Sequence, residues 1–327
     1  MNSTPTRNLA MELVRVTEAA ALSAARFMGR GDKEGADGAA VEAMRLVLNT
    51  VDMDGIIVIG EGEKDNAPWL YNGEKLGNGS RPLVDIAVDP IDGTRLLANG
   101  SPNSISSVAL APRGTMYNPG PFVYMHKIAV GPAARDAIDI NASVKENLNN
   151  VAHALGQKVE NVTVVILDRD RHLDLIKEVR ACGARIRLMP DGDIAGALMT
   201  CMDNSGVDVL MGIGGTPEGV MAACALRCMG GNLVGKPFAR NEAEKQRAIE
   251  MGVDFSQALS IEDLVSSDDV FFAATGVTNG DLLSGVDYIP NGAKTDSLVM
   301  RGLTGTIRQI KATHRLDKLD LISSVQY

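Results

Sequence analysis

The chain has 327 residues, of which 45% are hydrophobic, 22% charged and 4% aromatic, with a formal net charge of −9. That length exceeds one ordinary core and that balance excludes a disordered chain, so a globular protein of two subdomains with aliphatic cores is expected. The negative charge, without any Lys/Arg-rich block, excludes a nucleic-acid binder, and the lack of any run of about 18 apolar residues excludes a membrane-spanning helix.

From the N-terminus, no charged-then-apolar signal pattern is present, so a cytoplasmic location is expected. Leu9, Leu13, Val16, Ala20 and Ala24 share a stripe and predict a helix over about 8–28, ended by Gly29. The segment 29–38 is rich in glycine and charge and predicts a loop. A second helical face follows in Ala40, Val41, Met44, Val47 and Leu48, with Asp37 before it as an N-cap. Apolar runs at 55–60 and 83–88 predict buried strands, the first stopping at Glu61-Gly62-Glu63 and the second at Asp89-Pro90. Segments 104–110 and 122–130 predict further strands, with a turn at Pro112-Arg113-Gly114.

From about residue 144 the pattern becomes a regular alternation. Helices at 144–155, 172–182, 193–202 and 218–229 separate strands at 162–167, 185–189 and 207–211, which predicts crossover units on a mostly parallel sheet. The change of rhythm sets subdomains of 1–158 and 159–327. A mixed tail follows, with a helix at 240–251 and strands at 269–274, 297–301 and 305–311.

Three acidic clusters stand at strand ends or in glycine-rich turns: Glu61-Gly62-Glu63, Asp89-Pro90-Ile91-Asp92-Gly93-Thr94 and Gly214-Gly215-Thr216-Pro217-Glu218-Gly219. On an open α/β sheet such ends face one crevice, so Asp37, Glu61, Asp89, Asp92 and Glu218 could converge. Alone, each is a turn or cap residue. Together they would raise one another's pKa, a repulsion that a hard divalent cation such as Mg²⁺ or Mn²⁺ offsets. Gly93-Thr94 opens a helix through Leu96, Leu97 and Ala98, where free N–H groups and a hydroxyl suit a phosphate.

The run DPIDGT resembles the metal-binding motif of the inositol-monophosphatase and fructose-1,6-bisphosphatase superfamily. VRVTEAAAL, GRGDKEGADGAAVEAMR, VIGEGEKDNAP, VDIAVDPIDGT, YMHKIAVGP, PDGDIAGA, GIGGTPEGV and ATGVTNGDLL, in this order along nearly the whole chain, resemble the class II bacterial fructose-1,6-bisphosphatases. The resemblance implies a layered αβαβα sugar-phosphatase fold, α+β in its N-terminal half, and removal of the 1-phosphate of fructose 1,6-bisphosphate in gluconeogenesis. It implies Asp37, Glu61, Asp89, Asp92 and Glu218 as ligands of Mg²⁺ or Mn²⁺, and Asp92, Gly93 and Thr94 around the cleaved phosphate. Thr94 and Asp37 would position and deprotonate water, with Lys33 at the mouth. Tyr124, Arg169 and Arg171 would face the distant phosphate, and Asp191, Gly192, Asp193 and Gly215 the sugar. Where such proteins carry proline between the two basic residues, this chain has Asp170, a carboxylate able to pair with either guanidinium. A dual fructose/sedoheptulose bisphosphatase, another sugar or inositol phosphatase, and a non-catalytic phosphosugar sensor are the alternatives, and a homodimer or homotetramer is expected.

The remaining residues read as structural. His126, His153, His172 and His314 form no catalytic spacing, and His172 is expected at the surface or a helix end. Cys182, Cys201, Cys224 and Cys228 read as reduced thiols in apolar surroundings, and Trp69 as packing. Gly212-Ile213-Gly214-Gly215 lacks dinucleotide-binding spacing.

Overall fold

The computed structural model describes residues 8–61, 69–120, 124–250, 252–322, 325 and 327. Gly62, Glu63, Phe122 and Val123 lie outside the described residues, as does Met251. The described residues begin with two helices that pack on each other, α1 (Ala10–Ala24) and α2 (Lys33–Leu48), followed by β1 (Asp54–Ile59), β2 (Lys75–Leu76), β3 (Leu83–Asp92), α3 (Thr94–Ala98) and β4 (Ile105–Pro112). It then crosses to a second sheet through β5 (Tyr124–Val130), α4 (Val144–Ala154), β6 (Thr163–Leu167), α5 (Leu173–Ala181), β7 (Arg185–Met189), α6 (Asp193–Met199), β8 (Val209–Gly215), α7 (Thr216–Met229) and β9 (Asn232–Pro237). After α8 (Glu242–Glu250) and α9 (Ile261–Leu264) it returns through β10 (Phe271–Gly276), β11 (Asp287–Ile289), β12 (Gly292–Arg301) and β13 (Thr306–His314) to α10 (Leu316–Ile322).

Among the described residues there are two sheets. The eight-stranded sheet has the order β11-β12-β10-β4-β3-β1-β2, with β13 beside β12, and the five-stranded sheet runs β7-β6-β8-β5-β9. Three apolar clusters glue them into layers. The first joins α1 and α2 to one face of the larger sheet through Leu13, Met44, Ile57, Ile86 and Val108. The second packs that sheet's other face, through Ala87, Ala109 and Phe272, onto α6, α7 and the inner face of the smaller sheet. The third joins the outer face, through Ile128, Val164 and Met211, to Leu148 of α4 and Val179 of α5. Successive strand residues point to opposite faces, so each sheet can feed two clusters. The result is the expected αβαβα layering.

Several local expectations need correction. Helix α2 starts at Lys33, because the Asp32 side chain accepts from the Gly35 N–H at 2.8 Å; Asp32 is the N-cap and Asp37 lies one turn inside. Strand β3 continues past Val88 through Pro90 to Asp92. Strand β8 extends through the glycine run to Gly215 instead of ending at Met211. The smaller sheet is mixed: β6 pairs parallel with β7 and β8, while β5 enters antiparallel between β8 and β9. β9, with Gly235 and Pro237 within it, carries little strand propensity and is made by pairing with β5. Sheet membership does not change at residue 158: β5 and α4 join the smaller sheet, and β10 to β13 the larger.

Candidate active site

Carboxylates gather at the end of β3, where Asp89 and Asp92 stand with acidic neighbours. Asp89 stands opposite Ser107 of β4, but Asp92 stands opposite Ile105, so β3 holds one residue more than β4 across this stretch. In a regular strand, residues three apart point to opposite faces. The bulge removes that alternation and lets both carboxylates turn to one side. Gly93 then turns the chain at φ 86°, a left-handed conformation suited to glycine, and α3 begins at Thr94. The Thr94 hydroxyl donates to the Ile91 carbonyl at 3.2 Å, which leaves its lone pairs directed away from the backbone to accept a proton from another donor.

Other elements bring further acids to this point. Burial raises the pKa of Asp89 well above the usual carboxylate range, and the charges of Asp92, Glu61, Glu218 and Asp193 push it the same way. Burial likewise raises Asp92, helped by Asp193, Glu218 and Asp191, while the Ala195 N–H opposes the shift from 3.4 Å. Glu61 follows β1, and Glu218 lies in the first turn of α7. Lys33 and Asp37 ride on α2, which packs against α3 and β3; Lys33 is exposed and Asp37 half-buried.

The glycines of β8 are explained by the same crowding. A Cβ at Gly215 would lie 1.6 Å from the Glu218 Oε2, and one at Gly214 would lie 2.0 Å from the Asp193 Oδ2. Between these groups runs Lys127, only 2% exposed, whose Nζ pairs with the Asp193 Oδ2 at 2.5 Å and donates to the Gly215 carbonyl at 3.0 Å. Sequence reasoning passed over Lys127, although a lysine inside a strand of apolar neighbours calls for a carboxylate partner.

This donor set fits a hard divalent cation. It is all oxygen, burial and then the neighbouring acids raise the pKa of Asp89 and Asp92, and the buried Thr216 hydroxyl beside it has no hydrogen-bond partner among the described residues. Among the described residues no three His, Cys, Asp or Glu side chains are grouped closely enough to hold a metal ion as placed; the acids that raise Asp89 and Asp92 border an acidic basin.

A basic wall adjoins the basin. Tyr124 pairs with Gly215 across β5 and β8, next to Glu218, and its ring lies 5.5 Å from the Arg171 guanidinium and 5.1 Å from that of Arg240. Arg171 donates to the Ile213 carbonyl through Nε and Nη2 at 3.0 and 2.8 Å. The Ile213 N–H donates to the His172 Nε2 at 2.7 Å, and the His172 Nδ1 meets the Leu167 carbonyl at 2.7 Å. Arg171 and His172 thus satisfy β8 beyond Val209 and Leu210, its last residues paired with β6. His172 is therefore a buried brace at the N-terminal end of α5, the helix-end position expected of it and not the surface one; burial lowers its pKa. Arg169 instead pairs with Asp191 at 2.9 Å and donates to the Pro190 carbonyl. Asp170 stands exposed at the start of a short 3-10 turn, and the guanidinium contacts described go elsewhere. Arg240, linked to Glu244 at 3.0 Å, had no signal beyond being one arginine in a polar stretch.

Comparison with known proteins decides the relationship. The glpX-encoded bacterial fructose-1,6-bisphosphatase family matches residues 7–314. The chain belongs to that family. It is 47% identical over 327 residues to the fructose-1,6-bisphosphatase 1 class 2 of Escherichia coli K12, covering 96% of this chain and 97% of that protein. The class 2 enzyme of Shigella flexneri matches with the same identity and coverage. A solved structure of the extragenic suppressor protein SuhB from Bartonella henselae is 17% identical, covers 61% of this chain and 75% of its own, and gives a TM-score of 0.36, too slight a likeness to argue fold from.

Proposed function

We propose that this chain hydrolyses the 1-phosphate of fructose 1,6-bisphosphate to give fructose 6-phosphate and inorganic phosphate, serving gluconeogenesis in the cytoplasm as a homodimer or homotetramer. The observation that carries this reading is the adjacency of an acidic basin and a basic wall, joined where Tyr124 pairs with Gly215. A sugar with a phosphate at each end matches that polarity: one phosphate would lie toward the acids that would hold a cation, the other against Tyr124, Arg171 and Arg240. Membership of the family, whose relatives are named for this substrate, supports the choice of sugar.

Asp37, Glu61, Asp89, Asp92 and Glu218 would hold Mg²⁺ or Mn²⁺, which supplies Lewis-acid neutralisation of the phosphate charge and a more acidic water. Thr94, its own proton committed to Ile91, accepts from the attacking water and orients it in line with the scissile P–O bond. Asp37 takes the proton that water releases. Gly93 lets the start of α3 approach the cleaved phosphate, and Lys33 meets it at the mouth. Asp191, Gly192 and Asp193 face the sugar hydroxyls beside Gly215, with Arg169 fixing Asp191 and Lys127 fixing Asp193. The P–O bond to the sugar breaks, and the departing oxygen is reprotonated from solvent. Asp170 enters only as an exposed flank of the distal wall.

Phosphate release from a panel of sugar mono- and bisphosphates, with Mg²⁺ or Mn²⁺, tests the assignment. Fructose 1,6-bisphosphate should have the highest kcat/KM. Equal turnover of sedoheptulose 1,7-bisphosphate would make the chain a dual enzyme, and binding without release would make it a sensor.

A further inference from the structure

The acidic arm that ends β1 has an unusual support. Glu61 donates its N–H to the Leu70 carbonyl at 3.1 Å, and the backbones meet so closely that a Cβ at Gly60 would lie 2.0 Å from that same oxygen. Leu70 is fully buried in the first core cluster, yet its φ is +57°, a conformation that leucine adopts only when its surroundings impose it. The Leu70 N–H donates to the Glu74 Oε2 at 2.5 Å. Glu74, 5% exposed, takes the Arg45 Nε of α2 on its other oxygen at 2.6 Å, and the Arg45 guanidinium lies 3.9 Å from the Trp69 ring centre. The backbone closes the turn: Ile57 donates to the Glu74 carbonyl at 2.9 Å and Gly73 to the Ile57 carbonyl at 2.7 Å.

A carboxylate this deeply buried is expensive unless it is fully paired, and here both oxygens are used. Neither Glu74 nor Arg45 belongs to the acidic basin. Their contacts run in one direction: Arg45 to Glu74, Glu74 to Leu70, Leu70 to Glu61, and Glu61 by its charge to Asp89. We propose that Glu74 is a positioning residue which, anchored by Arg45, holds Leu70 in its left-handed conformation and so fixes where Glu61 presents its carboxylate. This deepens the reading above and rests on Glu61 being a metal ligand. A second consequence follows from the location of Arg45: α2 also carries Asp37, so the Arg45–Glu74 pair ties two of the proposed ligands to one frame.

The test is direct titration of the metal-free protein with Mn²⁺ by calorimetry, for wild type, Glu61→Gln, Glu74→Ala, Glu74→Gln and Arg45→Met, with thermal unfolding alongside. Glu74→Ala should weaken Mn²⁺ binding on the order of tenfold, the scale of losing a supporting contact behind a ligand. Raising Mn²⁺ should restore most of kcat. Glu74→Gln keeps an acceptor for the Leu70 N–H and should retain tighter binding than Glu74→Ala. If Glu74→Ala fails to fold, Arg45→Met, which loosens Glu74 without removing it, should weaken Mn²⁺ by a smaller factor. Unchanged Mn²⁺ affinity in a folded Glu74→Ala, or in Arg45→Met where that variant stands in, overturns the proposal, since a merely structural residue would lower the melting temperature alone. If Glu61→Gln binds Mn²⁺ as tightly as wild type, the metal reading fails and takes this proposal with it, an outcome distinct from the first because it appears with Glu74 intact.

Discussion

Removing Lys127 should destabilise the metal-free protein more than removing its partner. Lys127 and Asp193 are 2% and 7% exposed and form one buried pair, but their surroundings differ. Asp193 sits with Asp92, whose pKa it helps to raise together with Glu218 and Asp191, whereas Lys127 is the cation among them. Lys127→Met keeps most of the stem volume and leaves the acids uncompensated, a loss of about 3–5 kcal/mol. At about 2 °C per kcal/mol for a chain of this size, the melting temperature should fall by roughly 6–10 °C. Asp193→Asn leaves Lys127 its bond to the Gly215 carbonyl and the field of the remaining acids, so it should cost about 1–2 kcal/mol. Urea unfolding in the presence of a chelator measures both, and saturating Mn²⁺ should recover part of the Lys127→Met loss. Equal losses for the two variants, or none for Lys127→Met, would refute the view of Lys127 as the counter-charge of the basin.

Three further outcomes are expected. Thr94→Ala and Asp89→Ala should each lower kcat on the order of 10²-fold or more while remaining folded, read by steady-state kinetics and circular dichroism. Arg171→Ala and Arg240→Ala should raise KM for fructose 1,6-bisphosphate on the order of tenfold with kcat little changed, and should leave fructose 1-phosphate unaffected; a similar rise for both substrates would remove these residues from the distal phosphate. The third concerns pH. Burial and neighbouring acids raise the Asp92 pKa, so the folded metal-free protein holds a proton that the unfolded chain releases above about pH 4. The stability this supplies is present at low pH and is lost as pH rises through the raised value. The melting temperature of metal-free Asp92→Asn should therefore gain on wild type as pH rises toward neutrality, and a pH-independent difference would count against it.

Much of the candidate site, as a set of acids at strand ends, is legible because its signals are local. A buried strand, Asp-Pro, Asp-Gly and a short apolar helix mark the β3–α3 junction, and acids beside glycines mark Glu61 and Glu218. The layered fold came from the family resemblance, and the three apolar clusters carry it. What escaped depends on pairing between distant segments. Nothing within 83–92 shows that an extra residue will face β4 and bring Asp89 and Asp92 to one side. Likewise, the insertion of β5 between β8 and β9 is decided by its partners, and with it the place of Lys127. Asp32 was overlooked as a cap because the glycines at 35 and 38 weaken the helical pattern that it starts. His172 gave no hint of its brace, since both its partners are backbone groups on separate strands.

The central claim is tested most directly by following both products from fructose 1,6-bisphosphate in a chelator-treated sample before and after Mg²⁺ or Mn²⁺ is added. The account predicts no turnover without the cation and, with it, fructose 6-phosphate and inorganic phosphate released one to one. Turnover that persists in full under chelation, or release of fructose 1-phosphate instead, would contradict it.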